Sequence, residues 1–381
     1  MDTEQPLGAA RPERPRANGG RVIRIAWWGV RFIAALSLFV GALQLMKTGA
    51  ASLDFLQPGG FLVRNAGSTL GLGWLGALFV LSGSPIAATA STLVAAGEKA
   101  ASAGAEHFTE IQGYTMLTGS RLGAAFVVLL TAVLYASRAG EGERMAPLST
   151  AVMALCTTAL IYVPAAILGY GLLEWGPFHD LNIHFPGQFA DLIDVVYGGL
   201  LDRVQDLSPV LVFLGGLGIL LLSFKIIDSV IPPMDSERFE DSKLTWLRRK
   251  WPMFGLGCLV ALVTMSVSVA LTVLVPLVAK GYVKREDILP YIMGANITTL
   301  GDTMLAAFAL DSPAAVRIVL AGIISSTVVS LFLLTFFYPQ IRRAIWRFQR
   351  MMVKSRPRLA VFTAGLFLVP LTIIATSGVV G

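Results

Sequence analysis

The sequence predicts an all-α polytopic membrane protein built from two inverted-topology repeats, each with a re-entrant helical hairpin, plus a C-terminal transmembrane helix. Three observations predict it. Hydrophobic residues fill 55% of the 381 positions and charged residues only 14%, with a mean hydropathy of +0.70, far from the balance of a soluble domain. Uncharged runs of about 20 or more residues recur, each long enough to cross a hydrocarbon layer of about 30 Å as a helix. Lys and Arg gather beside those runs, so the net charge of +6 reports topology and does not mark a nucleic-acid surface.

The elements follow in chain order. Residues 1–23 are rich in Pro, Gly and Arg without an apolar run, which predicts a disordered cytoplasmic tail and excludes a cleavable signal peptide. Residues 24–173 form the first repeat, with crossings at 25–50, 114–137 and 148–173 and a hairpin at about 65–97. Residues 174–207 form an acidic extracytoplasmic loop, with Glu174, Asp180, Asp191, Asp194, Asp202 and Asp206 against Arg203. The second repeat spans 208–338, with crossings at 208–232, 289–310 and 314–338 and a hairpin at about 251–283. Residues 339–358 are basic and acid-free, hence cytoplasmic, and 359–381 hold the terminal membrane helix.

The hairpins rest on charge parity. The run 251–279 has Arg248, Arg249 and Lys250 before it and Lys280, Lys284 and Arg285 after it. A single crossing would carry one cluster outside, whereas a segment that enters and returns keeps both inside. The same reading of 65–97 keeps the N-terminus cytoplasmic; single crossings by both runs together would also preserve parity. Duplication is visible in letters too. Residues 82–97, SGSPIAATASTLVAAG, and 266–281, SVSVALTVLVPLVAKG, share S-x-S and, eight residues on, L-V-A-x-G. Inverted repeats with interrupted helices meeting near the midplane are how many secondary transporters build a substrate site, although a channel reuses the same parts.

The polar residues inside these runs are the candidate site. A charge at the bilayer centre costs about 2.5 to 3.5 kcal/mol on insertion scales, so Arg121 and Asp302 call for a function or a partner. In SGSP, Gly83 permits a tight backbone and Pro85 stops helix continuation, and the hydroxyls of Ser82 and Ser84 with freed amides suit an anion. Ser266 and Ser268 occupy the matching slots. The plainer account has the serines bonding their own helices and Arg121 pairing with Asp302. Lys47, Lys225 and Asp228 lie near segment ends, where long side chains reach the interface, and Trp27, Trp28 and Trp175 suit interfacial anchors.

The stretch GANITTLGDTMLAAFA, residues 294–309, resembles the G-A/S-N-I-G-T-T motif of the type II sodium-dependent phosphate cotransporter family. The preceding segment from Val263 resembles the approach to that motif, where the family carries a Q-S-S-S signature at a hairpin tip. The resemblance implies a sodium-coupled phosphate symporter in a plasma or inner membrane, with inorganic phosphate and Na+ as partners and no cofactor. It places Ser82, Ser84, Ser266, Ser268, Asn296, Thr298 and Thr299 at the binding motifs, with Arg121 and Asp302 as further candidates. The sequence departs from the signature: its glutamine is Leu81 and Met265, its middle serines are Gly83 and Val267, Thr298 replaces a glycine, and Arg121 stands for an asparagine. Transport of another small anion, proton coupling, and a non-transporting scaffold therefore remain open.

Other chemistries find no support. Cys156 and Cys258 lie in apolar runs without metal or disulfide spacing. His107, His179 and His184 form no metal-binding set, no phosphate-binding G-x-x-x-x-G-K-S/T loop is present, and no nucleophile and base are convincingly spaced for an enzyme.

Overall fold

The structure, a computed structural model, describes residues 19–50, 60, 62–102, 104, 107–138, 145–176, 178, 181, 183, 187–204, 206–230, 249–279 and 283–377. All regular elements among them are helical: α1 (Gly19–Ala50), α2 (Ala66–Val80), α3 (Ser84–Ser102), α4 (Glu110–Ala124), α5 (Phe126–Arg138), α6 (Met145–Glu174), α7 (Gly187–Val204) and α8 (Pro209–Val230) precede α9 (Lys250–Thr264), α10 (Val267–Thr272), α11 (Leu274–Ala279), α12 (Leu289–Thr298), α13 (Leu300–Ala309), α14 (Pro313–Phe332), α15 (Tyr338–Val353) and α16 (Arg356–Thr376). Among the described residues six helical stretches are long and apolar enough to cross a membrane. The chain is thus a polytopic membrane protein by its helices as well as its composition.

Several expected elements take a different form. The crossing expected at 289–310 is not among those six; Thr299 divides it into two ten-residue helices, each about 15 Å long. The crossing expected at 314–338 continues through a π-helical turn, Leu333–Phe337, to Val353. The basic segment after 338 is thus a helix, with Ile341, Ile345 and Val353 buried on one face. The expected acidic loop contains α7, and α1 begins at Gly19, inside the expected tail. Residues 1–18, 231–248 and 280–282, including Arg248 and Lys280, lie outside the described residues.

Side-chain bonds sort the helix ends into two groups. At one end Lys47 Nζ donates to the Leu310 carbonyl (2.6 Å), Gln112 Nε2 to the Val63 carbonyl (2.6 Å) and Ser312 Oγ to Glu98 Oε2 (2.6 Å). Arg317 forms an ion pair there with Glu110. At the other end Ser149 Oγ donates to Gln349 Oε1 (2.7 Å), Lys250 Nζ to the Leu334 carbonyl (3.0 Å) and Arg342 Nη2 to Glu286 Oε2 (3.2 Å). Val63 and Glu98, which flank the α2–α3 pair, both have their bonds in the first group, and Lys250 and Glu286, which flank α9 to α11, both have theirs in the second.

Glycines seat each of these helix pairs on its neighbour. A Cβ at Gly73 would run into the Met116 carbonyl and one at Gly119 into the Leu70 carbonyl, so α2 and α4 touch backbone to backbone. Gly257 meets the Tyr291 carbonyl and Gly294 the Phe254 carbonyl in the same way between α9 and α12. Leu70 and Gly73 precede Phe254 and Gly257 by 184 positions, the offset that also aligns Ser82 with Ser266; Met116 and Gly119 precede Tyr291 and Gly294 by 175. Under the second offset Arg121 falls on Asn296.

Candidate functional site

Both turns use the same backbone device. α2 ends at Leu81 (φ 58°) and α9 at Met265 (φ 47°), each in left-handed conformation. Steric crowding makes that region costly for side chains with a Cβ, by about 1 to 2 kcal/mol. The tight backbone expected at Gly83 is thus supplied by Leu81 instead. Gly83 serves close packing, because a Cβ there would stand 2.9 Å from the Ser120 carbonyl and 3.0 Å from Ala124 Cβ. This contact lays the first turn on α4 beside Arg121. Pro85 stands in the first turn of α3, where it has no intrahelical donor to lose, rather than ending α2.

The second turn starts a helix with a serine cap. Ser266 Oγ accepts from the Val269 amide at 3.3 Å, and Tyr291 Oη donates to the Ala270 carbonyl at 2.9 Å, pinning α10 to α12. Ser84 and Ser266 are buried, Ser82 is half-buried, and the side chain of Ser268 lies outside the described residues.

Between the turns lies a charged pair. Arg121 Nη2 stands 3.9 Å from Asp302 Oδ1, with the side chains 1% and 4% exposed. Thr303 Oγ1 bridges them, accepting from Arg121 Nη2 (2.8 Å) and donating to Asp302 Oδ1 (2.9 Å). Arg121 is eleven residues, about 17 Å, into the α4–α5 stretch, and Asp302 about 20 Å beyond the start of α12, so both sit well inside their stretches. The Ser84 hydroxyl of the first turn is close to the Asp302 carboxyl. Met265 of the second turn and Asp302 line one pocket of about 160 Å³ with Phe32, Leu36, Phe39 and Phe224. Asp302 thus has a residue of each turn, Ser84 and Met265, in its surroundings.

The pair is incompletely satisfied. Among the described residues Arg121 Nε and Asp302 Oδ2 are buried with no hydrogen-bond partner. Such groups carry a desolvation cost of about 1 to 3 kcal/mol each, and more when charged, which a bound ligand would offset.

The remaining expected residues form a second cluster at the break in the α12–α13 rod. Asn296 Nδ2 donates to Thr158 Oγ1 (3.2 Å) and to the Ile292 carbonyl (2.8 Å). The Asn296 carbonyl accepts from Tyr162 Oη (2.6 Å) and Thr299 Oγ1 (3.2 Å). Thr298 turns away and donates to the Cys258 carbonyl at 3.0 Å, a structural bond between α12 and α9. Sequence reasoning missed Thr303, Thr158 and Tyr162. The signal was present: Thr158 and Tyr162 are four apart, on one face of α6, and Thr303 adjoins the carboxylate.

By fold and composition the chain belongs to the class of polytopic helical membrane proteins, with interrupted helices and a buried charge pair. Residues 219–349 match the family model described as Na+/Pi-cotransporter, consistent with membership of that transporter family. The match runs from the middle of α8 into α15 and takes in α9 to α14. No curated protein and no solved structure matches the chain.

Proposed function

We propose that this protein is a secondary active transporter that carries inorganic phosphate with sodium across the cytoplasmic membrane. The observation that carries the reading is the buried Arg121–Asp302 pair with Ser84 of one turn and Met265 of the other in its surroundings, within a chain of which residues 219–349 match a sodium–phosphate cotransporter family. In this reading α2–α3 and α9–α11 are re-entrant hairpins dipping from opposite faces. The halves around them are inverted repeats, the N-terminus is cytoplasmic and the α15 end faces the cytoplasm. The two groups of helix ends, the paired glycine contacts and the matched left-handed turns support that arrangement.

The geometry suggests how coupling arises. Phosphate approaching Arg121 would take the guanidinium edge that carries Nε and would compete with Asp302 for the cation. That leaves Asp302 unpaired in a low-dielectric interior, at a cost of about 3 to 5 kcal/mol. A cation arriving at Asp302 alone strands Arg121 in the same way. Either ion by itself meets the penalty; both together replace one internal pair by two external ones. Ser82, Ser84, Ser266 and Ser268 would then supply hydroxyls from the turns, and Asn296 and Thr299 oxygens from the rod break. Transport of another small oxyanion or coupling to protons would use the same exchange.

The second reading, a non-transporting scaffold, draws on the same pair, since two charges that neutralise each other need no ligand. Uptake of labelled phosphate into proteoliposomes, with and without an inward sodium gradient, decides between them. Sodium-stimulated uptake that falls in Ser84→Ala and Asn296→Ala supports transport. Flux equal to that of empty vesicles for phosphate and other small anions would remove it.

A further inference from the structure

The elbow between α15 and α16 lies outside the proposed transport path and has its own chemistry. From 339 to 358 there are seven basic residues and no acid. Arg343, Arg347, Arg350, Lys354, Arg356 and Arg358 are exposed, and Arg342 is the one paired with an acid, Glu286, among the described residues. α15 spends one face on the protein: Ile341, Ile345 and Val353 are buried, and Gln349 between them holds Ser149. A second apolar edge points toward α16. There Phe348 and Met352 meet Val361 and Phe362 around a groove of about 320 Å³, with Pro357 and Arg358 completing its lining. Phe348 and Phe362 hold one wall by an edge-to-face contact at 5.9 Å.

We propose that this elbow binds an anionic phospholipid of the surrounding leaflet, with an acyl chain in the groove and the headgroup phosphate on the arginines. Three features choose this occupant. The groove continues onto α16, the least covered of the long apolar helices, with only 11% of its most apolar window buried, so its open side lies against lipid chains. The cations stand at the same elbow as the apolar groove, in the order that a chain and its phosphate require. With Arg342 the one of the seven paired with an acid among the described residues, their excess favours a headgroup of net negative charge over a zwitterionic one, which would bring its own cation. Trp346, with the guanidinium of Arg350 5.4 Å and that of Arg285 5.8 Å from its ring, sits beside them as interfacial tryptophans do.

The test is native mass spectrometry of the full-length protein in detergent with added phosphatidylglycerol or phosphatidylcholine of identical chains. The expected result is preferential retention of phosphatidylglycerol at low ionic strength. It should weaken by about fivefold for each of Arg347→Gln and Arg358→Gln. Val361→Trp, which fills the groove, should lower retention of both lipids. Arg203→Gln, an exposed arginine on α7, should leave retention unchanged and reports on general loss of charge. Equal retention of the two lipids would overturn the proposal, as would indifference to all three elbow variants. Displacement of the lipid by millimolar inorganic phosphate would reassign the elbow to a free-anion site.

Discussion

The Arg121 guanidinium and the Asp302 carboxylate face each other at 3.9 Å across Thr303, one on the fourth helix and the other on the thirteenth, both nearly removed from solvent. A buried pair of this kind is a weak source of net stability but a strong liability when halved. Asp302→Asn and Arg121→Gln should each destabilise the protein by about 3 to 5 kcal/mol, whereas Arg121→Met combined with Asp302→Leu should recover most of that loss. Thermal unfolding of the purified variants in one detergent checks this. A double variant whose loss equals the sum of the two single losses would show that the two charges are not coupled.

The glycine contacts give opposite signs at different positions. Alanine at Gly119 or Gly294 would press a Cβ into the facing carbonyl of Leu70 or Phe254, and overpacking of this sort costs about 1 to 3 kcal/mol. A methyl added at Gly301 would meet no atom within 4 Å, and the position stands inside a helix, so Gly301→Ala should be neutral or stabilise by up to about 1 kcal/mol. The same melting series compares them, and a Gly119→Ala protein as stable as Gly301→Ala would refute the close approach.

Arg317 and Glu110 tie the start of the fourteenth helix to the start of the fourth by two guanidinium nitrogens, and Arg317 Nη1 also reaches the Leu181 carbonyl at 3.1 Å. Glu110 is 32% exposed, so screening limits the pair. A double-mutant cycle with Arg317→Gln and Glu110→Gln should return a coupling of about 1 kcal/mol that shrinks as salt is raised. A coupling that persists unchanged in high salt would mean the pair is sealed from solvent.

Much of this architecture was legible because lipid solvation is severe. Run length and basic flanks located most helices, and the S-x-S spacing located both turns. Three features were not legible, each for a physical reason. Thr299 ends a helix without Gly or Pro, since the break depends on bonds supplied by Tyr162 from another helix. The left-handed residues of the two turns are Leu81 and Met265, and nothing in those side chains announces a positive φ. The helix across 338–353 was concealed because its basic residues read as a loop, while Ile341, Ile345 and Val353 held the periodic stripe that makes it a helix. Of the candidate site, Arg121 and Asp302 stood out by charge, but the hydroxyls that orient them look like ordinary membrane-helix threonines until the fold brings them together.

The Asn296 carbonyl offers the most direct link between helix break and transport. Interruption at Thr299 withdraws regular amide donors, and the carbonyl instead accepts from Tyr162 Oη at 2.6 Å and Thr299 Oγ1 at 3.2 Å. Tyr162→Phe leaves one of these bonds and keeps the ring, so the stability loss should be about 1 kcal/mol. If the break supplies oxygens to a transported cation, loosening it should raise the sodium concentration needed for half-maximal uptake by several-fold while leaving phosphate binding at saturating sodium little changed. Thr158→Val, which removes the partner of the Asn296 side-chain amide at 3.2 Å, should act in the same direction. Sodium titrations of phosphate uptake in proteoliposomes read both variants. A Tyr162→Phe protein that is less stable yet keeps the wild-type sodium dependence would reduce the break to a structural joint.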